Sequence, residues 1–379
     1  MKFETKAIHA GDQEDPLTGA VVTPIYQTST YHQKELGGGA KYEYTRGENP
    51  TRWALERTMA TLENGTDGFA FSSGMAAIHT AMSLLKSGDH IVMANDVYGG
   101  TFRLVDKILS QLGITYSMID TNDAQALEAA IQENTKMVYL ETPSNPLLHI
   151  TDIKKASEIG HNHHSLVVVD NTFASPYNQN PLDLGADIVL HSGTKYLGGH
   201  ADLLSGIIVV KDAQLAESIK LVQMSIGAVL SPQDSYLLNR SLKTLALRVE
   251  KHNKNAAQLA DFLNRHEKIA KIYYPGLPGT QDYEIAERQM RGYGGMLSLE
   301  LVEGLDVAKF VEGMELFALA ESLGGVESLI EVPAVMTHAS IPREIRLENG
   351  IKDELVRVSV GIEDIDDLIA DMSQALDRL

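Results

Sequence analysis

The 379-residue chain contains no cysteine. Disulfides, thiolate-bound metals and a cysteine nucleophile are therefore excluded, and the main argument for an oxidising compartment goes with them. Positive charge is scarce: 32 Lys+Arg face 51 Asp+Glu, leaving a formal net charge of −19. So acidic a chain repels nucleic acid and anionic membranes, and no partner held by phosphate neutralisation is expected. No run of about 18 apolar residues occurs, so no membrane span is expected. Met1 to Gly19 is polar and lacks the apolar core of a secretory signal. The expected compartment is the cytoplasm. What remains is an ordinary globular composition, 44% hydrophobic and 22% charged. At ~150 residues per domain the length suits two to three domains.

Three regions are expected, with boundaries at 1–58, 59–249 and 250–379. The first is rich in turn chemistry, including Gly37-Gly38-Gly39 and Gly47-Glu48-Asn49-Pro50, and reads as an extended arm. In the second, short apolar runs alternate with helix-length segments. The runs are 68–71, 90–93, 136–140, 166–170, 187–191 and 206–210. Runs apolar on both faces predict a mostly parallel sheet covered by helices, an α/β domain with its site at the carboxyl ends of the strands. A long helical region is expected from Ser231 to Arg265, with a breaker-rich boundary at Tyr273–Gly279. Strands at 295–301 and 355–360 and helices at 306–316 and 365–379 then predict a smaller α+β domain.

Four local features fall just after predicted strands. Ser72-Ser73-Gly74-Met75 opens a helix, where free N–H groups and the positive dipole end suit a phosphate; simple N-capping, far commoner than an anion site, is the favoured explanation of this feature taken alone. Asp170 ends a buried strand, where it can face a site, pair a cation or begin a turn. Lys195 lies among small residues in Ser192-Gly193-Thr194-Lys195-Tyr196, past another buried strand. Desolvation there would lower its pKa and make the amine a nucleophile toward carbonyls. Tyr98, followed by Gly99-Gly100, can lie flat on a planar ligand. An amine for an aldehyde, an acid for a ring nitrogen, a phosphate cradle and a ring face together match pyridoxal 5′-phosphate, PLP.

These segments, with Tyr44-Thr45-Arg46, Glu141-Thr142-Pro143-Ser144-Asn145-Pro146, Glu321-Ser322-Leu323-Gly324-Gly325 and Arg357-Val358-Ser359-Val360-Gly361, resemble the PLP-dependent enzymes of Cys/Met metabolism over essentially the whole chain. The resemblance implies PLP fold type I, the aspartate aminotransferase-like α/β fold. It implies that Lys195 carries the cofactor and shuttles protons, that Asp170 pairs the pyridinium nitrogen, and that Ser73, Gly74, Met75, Ser192 and Thr194 hold the phosphate. Tyr98 would stack on the ring and act as an acid-base partner. Tyr44 and Arg46 would reach the cofactor phosphate of a neighbouring subunit, within a homotetramer built as a dimer of dimers. Arg357 would grip the substrate carboxylate with Asn145 and Ser322, and Arg103 would contact substrate or cofactor. The substrates implied are small sulfur amino acids. Glu321 points to carbon–sulfur cleavage at Cγ; cleavage at Cβ, γ-synthesis, transamination and a non-catalytic role are the alternatives.

Other features carry less. His161-Asn162-His163-His164 invites a metal reading but has no carboxylate pattern beside it, and reads as a solvated helix end. Gly292-Tyr293-Gly294-Gly295 precedes a strand rather than a helix and reads as a turn.

Overall fold

The computed structural model describes residues 1–12, 14–339 and 342–379. Seven strands form the larger sheet: β1 (Asp67–Phe71), β2 (His90–Ala94), β3 (Thr115–Ile119), β4 (Thr135–Glu141), β5 (Leu166–Asp170), β6 (Ile188–Ser192) and β7 (Gly206–Val210). Their order is β1-β7-β6-β5-β4-β2-β3, and only β7 runs against its neighbours. The central strands are buried on both faces, with Val167, Val168, Val169, Ile188, Val189 and Leu190 all at 0% exposure. Apolar clusters on the two faces alternate along β5: Val168 packs with Ile188, Leu190 and Met93, whereas Val167 and Val169 pack with Leu140, Ile153 and Ile159. Each such side chain contributes about 1.5–3 kcal/mol by leaving water.

All six apolar runs are strands. The edge strand β3 has no matching run, because it is only partly buried and its residues Thr-Tyr-Ser-Met-Ile mix polar with apolar.

The helical region expected from Ser231 to Arg265 is two helices, Pro232–Leu242 and Leu245–Leu263. Thr244 leaves helical geometry at φ −110°, ψ 8°. The buried Arg248 guanidinium then caps the break, donating to the Ser241 carbonyl at 2.9 Å and the Tyr196 carbonyl at 2.6 Å. The Leu245–Leu263 helix bridges two cores across the expected 249/250 boundary. Leu245 and Val249 join the cluster under the large sheet, and Ala256, Leu259 and Leu263 join that of the second sheet.

The second sheet comprises β8 (Ile269–Tyr273), β9 (Met296–Leu301), β10 (Ala318–Leu319), β11 (Leu329–Glu331) and β12 (Leu355–Ser359), in the order β10-β11-β12-β9-β8. The helix Ile365–Asp377 packs Leu368, Met372 and Leu376 onto it. The helix expected over 306–316 is shorter, Val307–Glu312, ending before Gly313. Residues before the helix Pro50–Leu62 are mostly irregular, apart from a short helix at Phe3–His9. Among the described residues no helix is long and apolar enough to cross a membrane.

Candidate active site

Parallel strands end together, so β4, β5 and β6 deliver Glu141, Asp170 and Ser192 to one edge of the sheet. Glu141 stands opposite Asp170 in the register. Asp170 Oδ1 accepts the Thr172 N–H at 3.0 Å and the Thr172 hydroxyl, and Oδ2 accepts the Tyr139 hydroxyl at 3.4 Å. The same Thr172 oxygen accepts the Ser192 N–H at 2.8 Å, which ties β5 to β6. Burial pushes both carboxyls up, that of Glu141 well above the usual range, and the Asp170 charge raises Glu141 further. Two buried acids side by side favour a cation between the strand ends.

Lys195 lies beyond β6, and its Nζ donates to Ser322 Oγ at 2.9 Å. Burial, aided by the Arg357 charge, lowers its pKa to about 8. Ser322 is held at φ 95°, on the left-handed side. Such a backbone costs about 1–3 kcal/mol in a residue with a side chain and persists where its surroundings enforce it. Here its hydroxyl meets Lys195 while its carbonyl accepts Arg357 Nη2 at 2.9 Å. The other prong of Arg357, Nη1, donates to Asn145 Oδ1 at 2.9 Å and pairs with Glu331 Oε1 at 2.9 Å. Both members of the pair are nearly fully buried. β11 and β12 make that pairing by placing Glu331 opposite Arg357.

The nine-residue helix Gly74–Met82 points its N-terminus at the same edge, and Ser73 Oγ accepts the Ala76 N–H at 3.1 Å. Packing there admits no extra carbon: a Cβ on Gly74 would lie 2.9 Å from Ser192 Cβ, and one on Gly206 would lie 2.1 Å from the Ser73 carbonyl oxygen. Tyr98, 43% exposed, is fixed through its backbone, its N–H donating to Glu141 Oε2 at 2.8 Å. Its ring covers Gly100, where a Cβ would come within 2.4 Å of it.

A cavity of about 250 Å³ joins these groups. Of the residues expected at the site, Ser73, Gly74, Met75, Ser192 and Thr194 line it. So do Tyr98, Asp170 and Lys195, and so do Asn145, Glu321, Ser322 and Arg357. Three expected residues do not join it. Arg103 is exposed on the helix Gly99–Leu104 and does not line the cavity. Tyr44 and Arg46 line a separate surface groove with Gly227, Val229 and Pro232. Glu141, Thr172 and Thr337 line the cavity although none of them was assigned a role from the sequence. Glu141 carried the signal that marked Asp170, an acid closing a buried strand. Glu331 is identified only by its register with Arg357.

The His161 tract is a helix end: His161 faces Asp187 at 3.0 Å and His163 faces Glu128 at 2.7 Å. No metal-ligating group of three or more occurs among the described residues.

The Cys/Met metabolism PLP-dependent enzyme family matches residues 4–377. The chain belongs to that family. It is 57% identical over 376 residues to cystathionine β-lyase of Lactococcus lactis subsp. cremoris, covering 99% of each chain. It is 52% identical over 379 residues to cystathionine γ-lyase of Bacillus subtilis, covering 100% of each. The crystal structure of cystathionine γ-lyase from Lactobacillus plantarum complexed with L-serine superposes with a TM-score of 0.98 at 55% identity, covering 100% of this chain and 99% of that one. The fold is the aspartate aminotransferase-like PLP fold type I, and the cofactor is pyridoxal 5′-phosphate. The residues present fit it. A desolvated amine suits its aldehyde, paired buried acids suit its ring nitrogen, and a helix N-terminus crowded against Ser192 suits its phosphate.

Proposed function

We propose that this PLP-dependent carbon–sulfur lyase is a cystathionine γ-lyase, converting L-cystathionine and water to L-cysteine, 2-oxobutanoate and ammonia. The observation that carries the reading is that Glu321 and Arg357 line one cavity with Lys195, and that the Glu321 charge acts on both cations. Cystathionine has an amino-acid group at each end. Arg357, preset by Asn145 and the Ser322 carbonyl, takes the α-carboxylate in a two-pronged fork. Glu321 takes the distal ammonium, which orients the Cγ–S bond.

Bound PLP supplies the covalent anchor for the substrate amine and an electron sink for the pair left at Cα when its proton departs. Asp170 holds the proton on the ring nitrogen. Lys195, neutral at mildly alkaline pH, receives the Cα proton at Nζ and then moves one from Cβ. Tyr98 holds the proton exchanged with the substrate amine and the departing thiolate. Ser73, Gly74, Met75, Ser192 and Thr194 bind the phosphate. Tyr44 and Arg46 complete the phosphate site of a neighbouring subunit in a cytoplasmic homotetramer, which accords with their position outside this chain's own cavity. Arg103, exposed and outside the cavity, is given no role in this chain's own site.

Cleavage at Cβ is the second reading, favoured by the identity of 57% to a cystathionine β-lyase. Incubating the purified protein with L-cystathionine and identifying the keto acid decides between them. 2-Oxobutanoate with cysteine is expected; pyruvate with homocysteine as the main product would overturn the γ-lyase reading.

A further inference from the structure

Arg52 is a large, charged side chain with 0% exposure that does not line the cavity described above. It sits in the first turn of the helix Pro50–Leu62, where Asn49 caps the helix by accepting the Thr51 and Arg52 N–H groups. A buried guanidinium is costly unless its donors are used. Glu56 balances the charge, with its Oε1 3.3 Å from Nε, although Nε makes no hydrogen bond among the described residues. The two terminal nitrogens go elsewhere: Nη1 donates to the Thr45 carbonyl and Nη2 to the Gly47 carbonyl, each at 2.7 Å. Those carbonyls belong to the residues on either side of Arg46. Lys220 adds a second donor to the Gly47 carbonyl at 2.8 Å and pairs with Glu48 at 2.6 Å.

Arg46 itself is spent on nothing comparable. Among the described residues it has no ion pair, and its guanidinium lies 5.4 Å from the Tyr44 ring centroid. The chain thus anchors the backbone on both sides of an arginine whose head is left for an anion outside this chain. Arg52 is suited to this because a planar fork of fixed geometry can span two carbonyls, whereas a lysine ammonium cannot match that pair of directions.

We propose that Arg52 is a positioning residue for the phosphate of the neighbouring subunit's cofactor: it brackets Arg46 and presents that guanidinium as a preset anion clamp. The inference rests on the proposal that Arg46 acts across subunits, and it assigns the geometry of that contact to a buried residue that touches neither cofactor nor substrate. Holding the arm in advance removes the ordering cost from the binding step, so the gain appears as phosphate affinity.

The test compares pyridoxal 5′-phosphate with pyridoxal, which lacks the phosphate, in titrations of the apoprotein. Arg52→Lys keeps the charge beside Glu56 and loses the fork. It is expected to raise the dissociation constant for pyridoxal 5′-phosphate about tenfold, as for loss of a charge-assisted contact, and to leave that for pyridoxal unchanged. Arg46→Ala should show the same selectivity. A selective loss in Arg46→Ala but not in Arg52→Lys overturns the inference and leaves the cross-subunit reading standing. No selective loss in Arg46→Ala sinks that reading and the inference with it. Equal weakening of both ligands by Arg52→Lys assigns Arg52 a merely structural role and also overturns it. Should Arg52→Lys fail to fold, Lys220→Met carries the test, with a smaller loss, about threefold and again phosphate-selective, expected from removing the second donor on Gly47; no selectivity there refutes the bracket.

Discussion

Lys195 shows how burial writes chemistry into a single side chain. Its amine titrates at about 8 in the folded protein against 10.5 for an unperturbed lysine, chiefly because burial disfavours the ammonium. Unfolding the cofactor-free protein therefore takes up a proton between those values, and its stability rises with pH from about 8 toward 10.5. Below pH 8 the full burial cost is present. Lys195→Met should then make the cofactor-free protein more stable at pH 7 by about 2 kcal/mol, allowing for solvent in the cavity. The gap should close as pH approaches 10.5, as urea unfolding at several pH values would show. The same variant, or Lys195→Ala, should have no measurable turnover with intact fold; normal activity would refute the role of this amine. Lys195 and Asp170 were legible from residue type and position after or at the end of a strand, whereas Arg357, in the middle of β12, came only from the family resemblance. Glu331 was not legible, since its partner is 26 residues away in the chain and meets it only across β11 and β12.

At the scale of elements, contact between the helix Gly74–Met82 and the paired ends of β6 and β7, where Ser192 faces Gly206, depends on missing side chains. A methyl on Gly206 would strike the Ser73 carbonyl oxygen, a backbone atom unable to rotate away. Gly206→Ala should cost about 1–3 kcal/mol of stability by overpacking. It should weaken cofactor retention as well, because the helix N-terminus must shift; urea unfolding and absorbance of the bound cofactor after dialysis would check both. A second junction lies behind β5 and β6. There the buried Glu63 accepts His191 Nε2 at 2.6 Å and Asn171 Nδ2 at 3.0 Å through one oxygen, and Asn180 Nδ2 at 3.0 Å through the other. Glu63→Ala takes the partner from His191 Nε2 and leaves Asn171 and Asn180 with one acceptor each, the Gln179 and Leu62 carbonyls, and should destabilise the protein by about 1–3 kcal/mol, as for a buried donor left unsatisfied. Strand positions were readable here because central strands are apolar on both faces. The edge strand β3, partly wet, and the break at Thr244, made by Arg248 from the following helix, follow from tertiary contacts that periodicity does not encode.

For the molecule as a whole, the arm raises the question that a single chain leaves to its partner. Tyr44 and Arg46 lie outside their own chain's cavity, in a surface groove, and Tyr44 is 50% exposed. If they serve a neighbour, mixed oligomers of Arg46→Ala and Lys195→Ala chains should regain activity at sites pairing an intact lysine with an intact arm. At a cofactor concentration that leaves Arg46→Ala largely unloaded, neither parent alone should have it; sedimentation would report the assembly as a tetramer. Absence of any recovery would place the arm's action within its own chain.

Composition and local pattern by themselves determined the absence of thiol chemistry, the layered α/β build, and the residue types at the strand ends. These follow from short-range chemistry: apolar runs bury, glycines permit close approach, and acids or amines after such runs meet one another where parallel strands end. Tertiary structure alone decided which charges neutralise which. The pairing of Arg357 with Glu331, the strained Ser322 that links Lys195 to Arg357, and the grip of Arg52 around Arg46 each depend on where distant segments are packed. A buried charge is tolerated only beside its partner, and that proximity exists only once the chain has folded.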